Sequence, residues 1–248
     1  MAEWVESFPE LARRIVDRPA RLGRTRLVAV DGPSGSGKTV FAERLAAALT
    51  VLTALPDRAA LPDRAALPDR AALPDQAAFT DQPVGVTAGR EAVGRVPVVH
   101  TDDLLAGWAD QISFWSRLEE WVLTPLRSGL PGRYRRYDWN RGQFDPEWVP
   151  VPAAPVVVLE GVSSSRLGIA PELTFAVFVT APPRLRLDRV LSRDGAETLP
   201  YLTRWRQGER RHFGADATAD RADLVVDGAP DGYRTPVVDP EIHYVRLA

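Results

Sequence analysis

The sequence predicts an α/β protein with a doubly wound, five-stranded parallel sheet and flanking helices. Five short apolar runs have the composition of buried strands, and helix-forming segments separate them along the chain. A glycine-rich loop lies between the first of these runs and the helical segment that follows it. Because 248 residues suffice for one large α/β domain, we predict a single domain over residues 1–248.

The elements are predicted in chain order from the spacing of apolar residues. Residues 1–20 are predicted to form an amphipathic helix with Trp4, Phe8, Leu11 and Ile15 against the body. The predicted strands are 26–30, 96–100, 156–160, 175–180 and 224–226. Four further helices are predicted. The first follows the glycine loop, the second runs from Ile112 to Leu126, the third begins at Pro182–Pro183 and the fourth spans 201–213. The last two form a lid-like, arginine-rich region over 182–215.

Composition narrows the class of protein. A net charge of −2 gives no signature of nucleic-acid binding, and the absence of cysteine excludes disulfides and thiolate metal sites. The first residues, MAEWVESFPE, are acidic where a secretory signal is basic, and no apolar run approaches the roughly 18 residues of a membrane helix. We therefore expect a soluble cytoplasmic protein, with neither nucleic acid nor membrane as a partner. A homo-oligomer is compatible with the sequence.

The glycine loop, GPSGSGKT at residues 32–39, matches the pattern G-x-x-x-x-G-K-[ST] in full. Its glycines let successive backbone N–H groups turn inward around a phosphate, and the helix dipole adds positive potential. Lys38 is the only lysine among 31 Lys and Arg residues, and an ammonium fits this cradle better than a broad guanidinium. The loop predicts a nucleotide-phosphate site with Thr39 as a ligand of Mg²⁺, and GTPases, ATPases and small-molecule kinases all share this motif. The predicted binding residues are Gly32, Pro33, Ser34, Gly35, Ser36, Gly37, Lys38, Thr39 and Val40.

Four copies of a hexapeptide, LPDRAA or LPDQAA, occupy residues 55–78. A proline in every copy is incompatible with a continuous helix, and the apolar content is too low for a core. We predict a mobile surface insertion within residues 50–90, with a partner-binding arm as the alternative.

The ordered motifs resemble the uridine kinase-like branch of the P-loop metabolite kinases. Besides the phosphate loop, they comprise an acidic motif that closes the second strand, a Leu-rich helix that ends in Gly, a Y-D-[FW] motif, a strand that ends in E-G and an Arg-rich helix that ends in R-D. Here they read Thr101-Asp102-Asp103, Leu118 through Gly129, Tyr137-Asp138-Trp139, Leu159-Glu160-Gly161 and Arg184 through Asp194. The resemblance spans most of residues 26–228 outside the insertion. It implies a doubly wound sheet of the P-loop kinase type and a kinase that uses ATP and Mg²⁺.

The resemblance assigns roles to individual residues. Asp102 matches the general base, which takes the proton from the acceptor hydroxyl, and a carboxylate at a strand end beside the loop suits that role. Asp103 is expected to cap the next helix. Glu160 matches the acid beside the metal, acting through water or behind the direct ligands. Lys38 and Arg193 complete the catalytic set that the resemblance implies.

Further residues are implied on the lid and on the acceptor side. Arg184, Arg189 and Arg193 resemble the lid arginines that clamp the transferring phosphoryl group, for which Arg193 in the R-D pair fits best. Tyr137 and Asp138 match acceptor-binding positions. Beside them, Asn140 or Arg141 is a candidate for reading a base edge, and the arginine cluster Arg133, Arg135, Arg136 and Arg141 is equally a candidate for receiving an anionic acceptor.

The sequence departs from true uridine kinases in two places. The histidine that follows the Y-D-[FW] motif and reads the pyrimidine is absent, and Leu104-Leu105 replaces an aromatic pair. The acceptor therefore stays open between a nucleoside or similar hydroxyl compound and an anionic acceptor such as a nucleoside monophosphate. A non-catalytic nucleotide-binding regulator is a third hypothesis. A standard GTPase is excluded because its N-K-x-D motif needs a second lysine.

Overall fold

The structure is a computed structural model of the chain, and it describes residues 3–54, 94–229 and 239–247. The hexapeptide repeats at 55–78 lie outside the described residues, so the expectation of a mobile insertion stays a prediction. The helix after the phosphate loop extends to Ala54.

A seven-stranded sheet forms the centre of the molecule. In spatial order its strands are β1 (Glu3–Ser7), β11 (His243–Leu247), β10 (Leu224–Asp227), β9 (Leu173–Thr180), β2 (Arg26–Asp31), β8 (Val156–Glu160) and β3 (Val98–His100). The five strands from β10 to β3 are mutually parallel, which confirms the predicted doubly wound sheet. Every residue of β8 and seven of the eight in β9 are buried, as expected for strands covered on both faces. The parallel strands are β2 Arg26–Asp31, β3 Val98–His100, β8 Val156–Glu160, β9 Leu173–Thr180 and β10 Leu224–Asp227.

Two strands that were not predicted extend the sheet in antiparallel fashion. β1 (Glu3–Ser7) pairs with β11 (His243–Leu247), and β11 pairs with β10. The prediction of one helix over residues 1–20 is therefore wrong at its start: Trp4 lies in β1 with 52% of its surface exposed. Helix α1 (Phe8–Val16) begins only after Ser7, whose side chain accepts the backbone N–H of Glu10 in a capping box.

Alternate residues of the strands serve two apolar cores, one on each face of the sheet. Val28 and Val30 of β2 join α1 and α2 in one core, whereas Leu27 and Ala29 join the helical segment after β3 in the other. The remaining helices are α2 Lys38–Ala54, α3 Trp115–Leu118, α4 Thr124–Arg127, α5 Pro183–Asp194, α6 Leu199–Asp216 and α7 Thr218–Arg221. Within the described ranges, no helix is long and apolar enough to cross a membrane.

The segment predicted as one helix from Ile112 to Leu126 begins later. Ile112 lies in a turn and is partly exposed, and the helical part runs through α3, a π-helical turn (Glu119–Leu123) and α4. Two short hairpins follow it and contain the Tyr-Asp-Trp motif. Their strands are β4 Gly132–Tyr134 with β7 Val149–Val151, and β5 Tyr137–Asp138 with β6 Gln143–Phe144.

Candidate active site

The phosphate loop joins β2 to α2 at the carboxyl edge of the sheet. Gly32 and Gly35 have φ values of +139° and +76°, and a Cβ on either would overlap a backbone oxygen, of Val179 or of Arg186. Glycine is therefore required by both conformation and space at these two positions. Lys38 is only 8% exposed, and its ammonium donates to the Pro33 carbonyl oxygen at 3.2 Å across the loop. This backbone forms the concave cradle that a chain of phosphates requires.

Asp31, at the end of β2, fixes the base of this loop. Its buried carboxylate accepts hydrogen bonds from the backbone N–H groups of Gly32, Ser163 and Ser165 and from the Ser165 hydroxyl, at 2.7–3.0 Å. Burial raises the pKa of the Asp31 carboxyl, and these donated hydrogen bonds oppose that effect. Asp31 was not predicted as a site residue, and it ties the loop to the chain after β8.

Thr39 and Glu160 lie together beside the loop, as the metal prediction requires. The Thr39 hydroxyl is 3.3 Å from one oxygen of Glu160, and His100 Nδ1 is 2.7 Å from the other. This hydrogen bond raises the pKa of His100. No group of three or more acidic or histidine side chains gathers into a metal centre among the described residues. A hydroxyl and one carboxylate fit Mg²⁺, which takes its other ligands from phosphates and water.

Two cavities open at this edge of the sheet, and we name them the nucleotide cavity and the acceptor cavity after the functions predicted for residues near them. The nucleotide cavity, of about 510 Å³, contains six of the nine predicted loop residues and extends to the side chains of Phe8 and Tyr244. The acceptor cavity, of about 540 Å³, lies on the other side of Asp102. Four residues line both cavities: Ser34, Asp102, Val190 and Arg193. The boundary between the cavities therefore combines a carboxylate, a hydroxyl and a guanidinium.

Asp102 lies in the first turn after β3, within the 3₁₀ helix Thr101–Leu104, and its side chain is open to the two cavities. The surrounding protein raises the pKa of its carboxyl, and the positive charges of Lys38 and Arg193 oppose this. A raised pKa suits a carboxylate that has to accept a proton. Arg193 is oriented by Asp194, whose two oxygens accept from Nε and Nη2 at 2.6 and 2.7 Å.

Asp103 does not have the predicted role of a helix cap. One of its oxygens accepts from the Tyr134 hydroxyl at 3.1 Å and lies 3.3 Å from Arg136 Nε. Burial, followed by the charge of Asp103, raises the pKa of Tyr134 to about 12. Asp103 thus connects the end of β3 to the first hairpin.

The acceptor cavity has an aromatic wall formed from three distant segments. The ring of Trp108 meets those of Trp139 and Trp205 edge-on at 5.4 and 5.8 Å, and it stacks on Tyr201 at 5.7 Å. The three tryptophans line the cavity together with Leu105, Asn140, Glu197, Thr198 and Leu202. Such a surface accommodates a flat or apolar ring.

The predicted acceptor-binding residues are only neighbours of this cavity. Tyr137 packs edge-on against Trp139, which itself lines the cavity. Asp138 closes a turn by accepting the backbone N–H groups of Asn140 and Arg141, and Arg141 points to solvent 3.9 Å from Asp138. The structure therefore shifts the cavity-lining positions in this segment from Tyr137, Asp138 and Arg141 to Trp139 and Asn140.

Two lid arginines also lie elsewhere than predicted. Arg184 is exposed and lines neither of the two cavities in the part of the chain that the structure describes. Arg189 lines the nucleotide cavity, where Nη1 donates to the carbonyl oxygens of Gly35 and Gly228 at 3.2 and 3.1 Å. Arg189 and Arg193 lie four residues apart on one face of α5 and both line the nucleotide cavity, and of the three arginines Arg193 alone also lines the acceptor cavity.

Several site residues had no sequence signal strong enough to predict them. Glu209 and Trp205 of α6 contact Ser34 of the loop, and Trp108 belongs to a stretch without regular structure. Their positions depend on how α6 packs over the loop, which is a long-range property. His100 is the exception, because it directly precedes Thr101-Asp102-Asp103 at the strand end.

No protein-family model and no curated protein sequence matches the chain. Among solved structures, a possible uridine kinase of Bacillus stearothermophilus superposes with a TM-score of 0.54 at 16% identity, over 88% of this chain and 96% of that one. A candidate fructose transport system kinase of Silicibacter sp. TM1040 gives a TM-score of 0.49 at 16% identity, over 89% of this chain and 98% of that one. With the sheet order and the loop described above, the chain has the P-loop kinase fold.

Proposed function

We propose that the protein is an ATP-dependent phosphotransferase that transfers the γ-phosphate of ATP to a hydroxyl of an uncharged small acceptor, such as a nucleoside or a similar metabolite. The observation that supports this most is the shared boundary of the two cavities. A carboxylate, Asp102, and a guanidinium, Arg193, both face the cavity with the phosphate loop and the cavity with the aromatic wall. Direct transfer between two bound substrates requires this arrangement.

The residues act on the two substrates as follows. The loop N–H groups and Lys38 bind the β- and γ-phosphates, and the aromatic wall orients the acceptor so that its hydroxyl faces Asp102. Asp102 takes the proton of this hydroxyl while the oxygen bonds to the γ-phosphorus and the bond to the ADP oxygen breaks. Arg193, held by Asp194, neutralises charge on the phosphoryl group during transfer. The products are ADP and a phosphorylated acceptor.

Thr39 and Glu160 would hold Mg²⁺ beside the loop, and the ion would neutralise phosphate charge. His100 donates to the second oxygen of Glu160 and so restricts the orientation of this carboxylate.

The charges around the acceptor cavity favour an uncharged acceptor over an anionic one. The cavity has three carboxylates, Asp102, Asp194 and Glu197, against one guanidinium, which Asp194 already pairs. An anionic acceptor would be supported only if the arginine cluster that follows the helical segment faced the acceptor cavity. Within the described residues, none of these arginines lines the cavity: Arg133 and Arg135 stack on Trp148, Arg136 pairs with Asp103, and Arg141 lies beside Asp138.

A phosphoryl-transfer screen tests the proposal. The purified protein is incubated with γ-labelled ATP, Mg²⁺ and separate panels of nucleosides, uncharged sugars and nucleoside monophosphates, with Asp102→Asn as the matched control. We expect label in an organic product from an uncharged acceptor and far less with the variant. Label only in nucleoside diphosphates would instead support the anionic alternative, and ATP binding without transfer to any compound would contradict the proposal.

A further inference from the structure

Glu209 of α6 is a carboxylate inside the protein, with only 2% of its surface exposed. Its Oε1 atom accepts hydrogen bonds from the Ser34 backbone N–H at 2.8 Å, the Ser34 hydroxyl at 2.6 Å and the Trp205 indole N–H at 2.9 Å. The Trp205 Nε1 atom is also 2.9 Å from the Ser34 hydroxyl oxygen. These three residues form a closed polar contact, which we call the Ser34–Trp205–Glu209 cluster.

The cluster connects the two cavities. Ser34 belongs to the phosphate loop and lines both of them, and Trp205 belongs to the aromatic wall of the acceptor cavity. Glu209 lies one turn after Trp205 on the same face of α6 and contacts both. A buried carboxylate is stable only with donors around it, so a movement of Ser34 without Trp205 would leave part of this charge unsatisfied.

We infer that Glu209 is a positioning residue that transmits nucleotide binding at the phosphate loop to the acceptor wall through Trp205. Phosphates that bind the loop change the hydrogen bonding of its N–H groups, including those next to Ser34. The shared oxygen of Glu209 then makes Ser34 and the Trp205 indole move together, so that the aromatic wall is ordered for the acceptor after ATP has bound. Glu209 acts in this way only if nucleotide binds the phosphate loop, as the proposed function requires.

Fluorine NMR on the full chain labelled with 5-fluorotryptophan tests this role. The chain has seven tryptophans, and the Trp205 resonance is identified by its absence in Trp205→Phe. The probe is the magnesium complex of a non-hydrolysable ATP analogue, whose affinity is measured separately by calorimetry. Glu209→Ala removes the shared oxygen, and Glu209→Gln keeps its size without its charge. Ser34→Ala removes the hydroxyl and leaves the backbone N–H bond to Glu209, so it weakens the cluster from the loop side. Arg210→Gln, at the adjacent exposed position of α6, is the matched control.

We expect the analogue to shift the Trp205 resonance in the wild type and in Arg210→Gln. The shift should fall several-fold in Glu209→Gln and Ser34→Ala and vanish in Glu209→Ala. Unchanged resonances of the tryptophans outside the aromatic wall show that the variants are folded. If the analogue binds but Trp205 does not respond in the wild type, or responds equally in the folded variants, the role of Glu209 is refuted. If the wild type does not bind the analogue, the proposed function itself fails.

Discussion

Lys38 is surrounded by groups that an arginine would disturb. Its ammonium is nearly buried between the loop and Asp102, and it reaches the Pro33 carbonyl at 3.2 Å. A guanidinium is planar and broader and spreads its charge over three nitrogens, so it does not fit the same concave space. The single lysine of an otherwise arginine-based chain is thus at the position where the shape of the cation matters most.

We predict that Lys38→Arg loses most of the transfer activity although the charge is retained. The guanidinium should displace the loop backbone and weaken ATP binding, which is measurable by calorimetry beside steady-state kinetics. Arg13→Lys, a charge-conserving exchange at an exposed position of α1 that lines neither cavity, shows the effect of the reverse exchange away from the site. An enzyme with near-normal activity as Lys38→Arg would contradict the function assigned to this ammonium.

Asp102 and Asp103 are adjacent in sequence but have different surroundings. Asp102 faces both cavities, whereas Asp103 is held by Tyr134 and Arg136 of the first hairpin. The first position suits proton transfer and the second suits attachment of the hairpin to the sheet.

We predict that Asp102→Asn lowers kcat by about 10²- to 10⁴-fold, the usual effect of removing a positioned base. Its affinity for ATP should change little, because the phosphate loop is unaltered. Asp103→Asn should lose stability by about 1 kcal/mol through the weakened contacts with Tyr134 and Arg136, with a smaller loss of kcat. Steady-state kinetics and urea unfolding on both variants separate these effects. If activity required Asp103 and survived Asp102→Asn, Asp103 would be the general base and the assignment of Asp102 would be wrong.

At the scale of elements, the three arginines of α5 have different surroundings. Arg184 faces solvent, Arg189 holds the loop carbonyls, and Arg193 reaches the boundary between the cavities. The proximity of Arg193 to Asp102 has an electrostatic consequence. The surrounding protein raises the pKa of the Asp102 carboxyl by desolvation, and the positive charges of Lys38 and Arg193 oppose this.

We predict that Arg193→Gln moves the acid limb of the kcat/KM profile to higher pH. Without the guanidinium the pKa of Asp102 rises further, and since Asp102 accepts a proton only when ionised, a higher pH is needed to reach the same active fraction. Arg204→Gln, an exposed position on α6, should leave the limb unchanged. A limb that stays in place in Arg193→Gln, or moves to lower pH, would show that Asp102 is not the base whose titration limits the rate.

At the scale of the whole molecule, the parts of the fold that could be predicted from the sequence are those that a local pattern of residues determines. The five parallel strands are continuous apolar runs, and the phosphate loop is a contiguous motif. β1 and β11 were not predicted because each is short and pairs with a segment more than 230 positions away. Trp4 has helical spacing from Phe8 and Leu11, although pairing with β11 fixes it in a strand. The aromatic wall and Glu209 depend on the packing of α6 and of irregular loops, for which no local pattern exists.

A hydrogen bond holds the segments before and after the insertion close together. The backbone N–H of Val96, just after the insertion, donates to the Thr50 hydroxyl near the end of α2 at 2.8 Å. The connection between Ala54 and Gly94 therefore has only to close a short gap, and the residues that shape the two cavities lie outside it. Deletion of the four repeats, residues 55–78, shortens it from 39 residues (55–93) to 15 (79–93).

We predict that this deletion leaves the fold and the affinity for ATP nearly intact. A shorter loop loses less entropy on closure, which here amounts to a gain of under about 1 kcal/mol in the free energy of unfolding. The repeats themselves are predicted to bury little, because each contains a proline and few apolar residues. Urea unfolding and calorimetry with ATP compare the shortened chain with the full one. A loss of several kcal/mol would show that the repeats pack against the body, and a loss of acceptor turnover with ATP affinity retained would support the alternative that they form a functional arm.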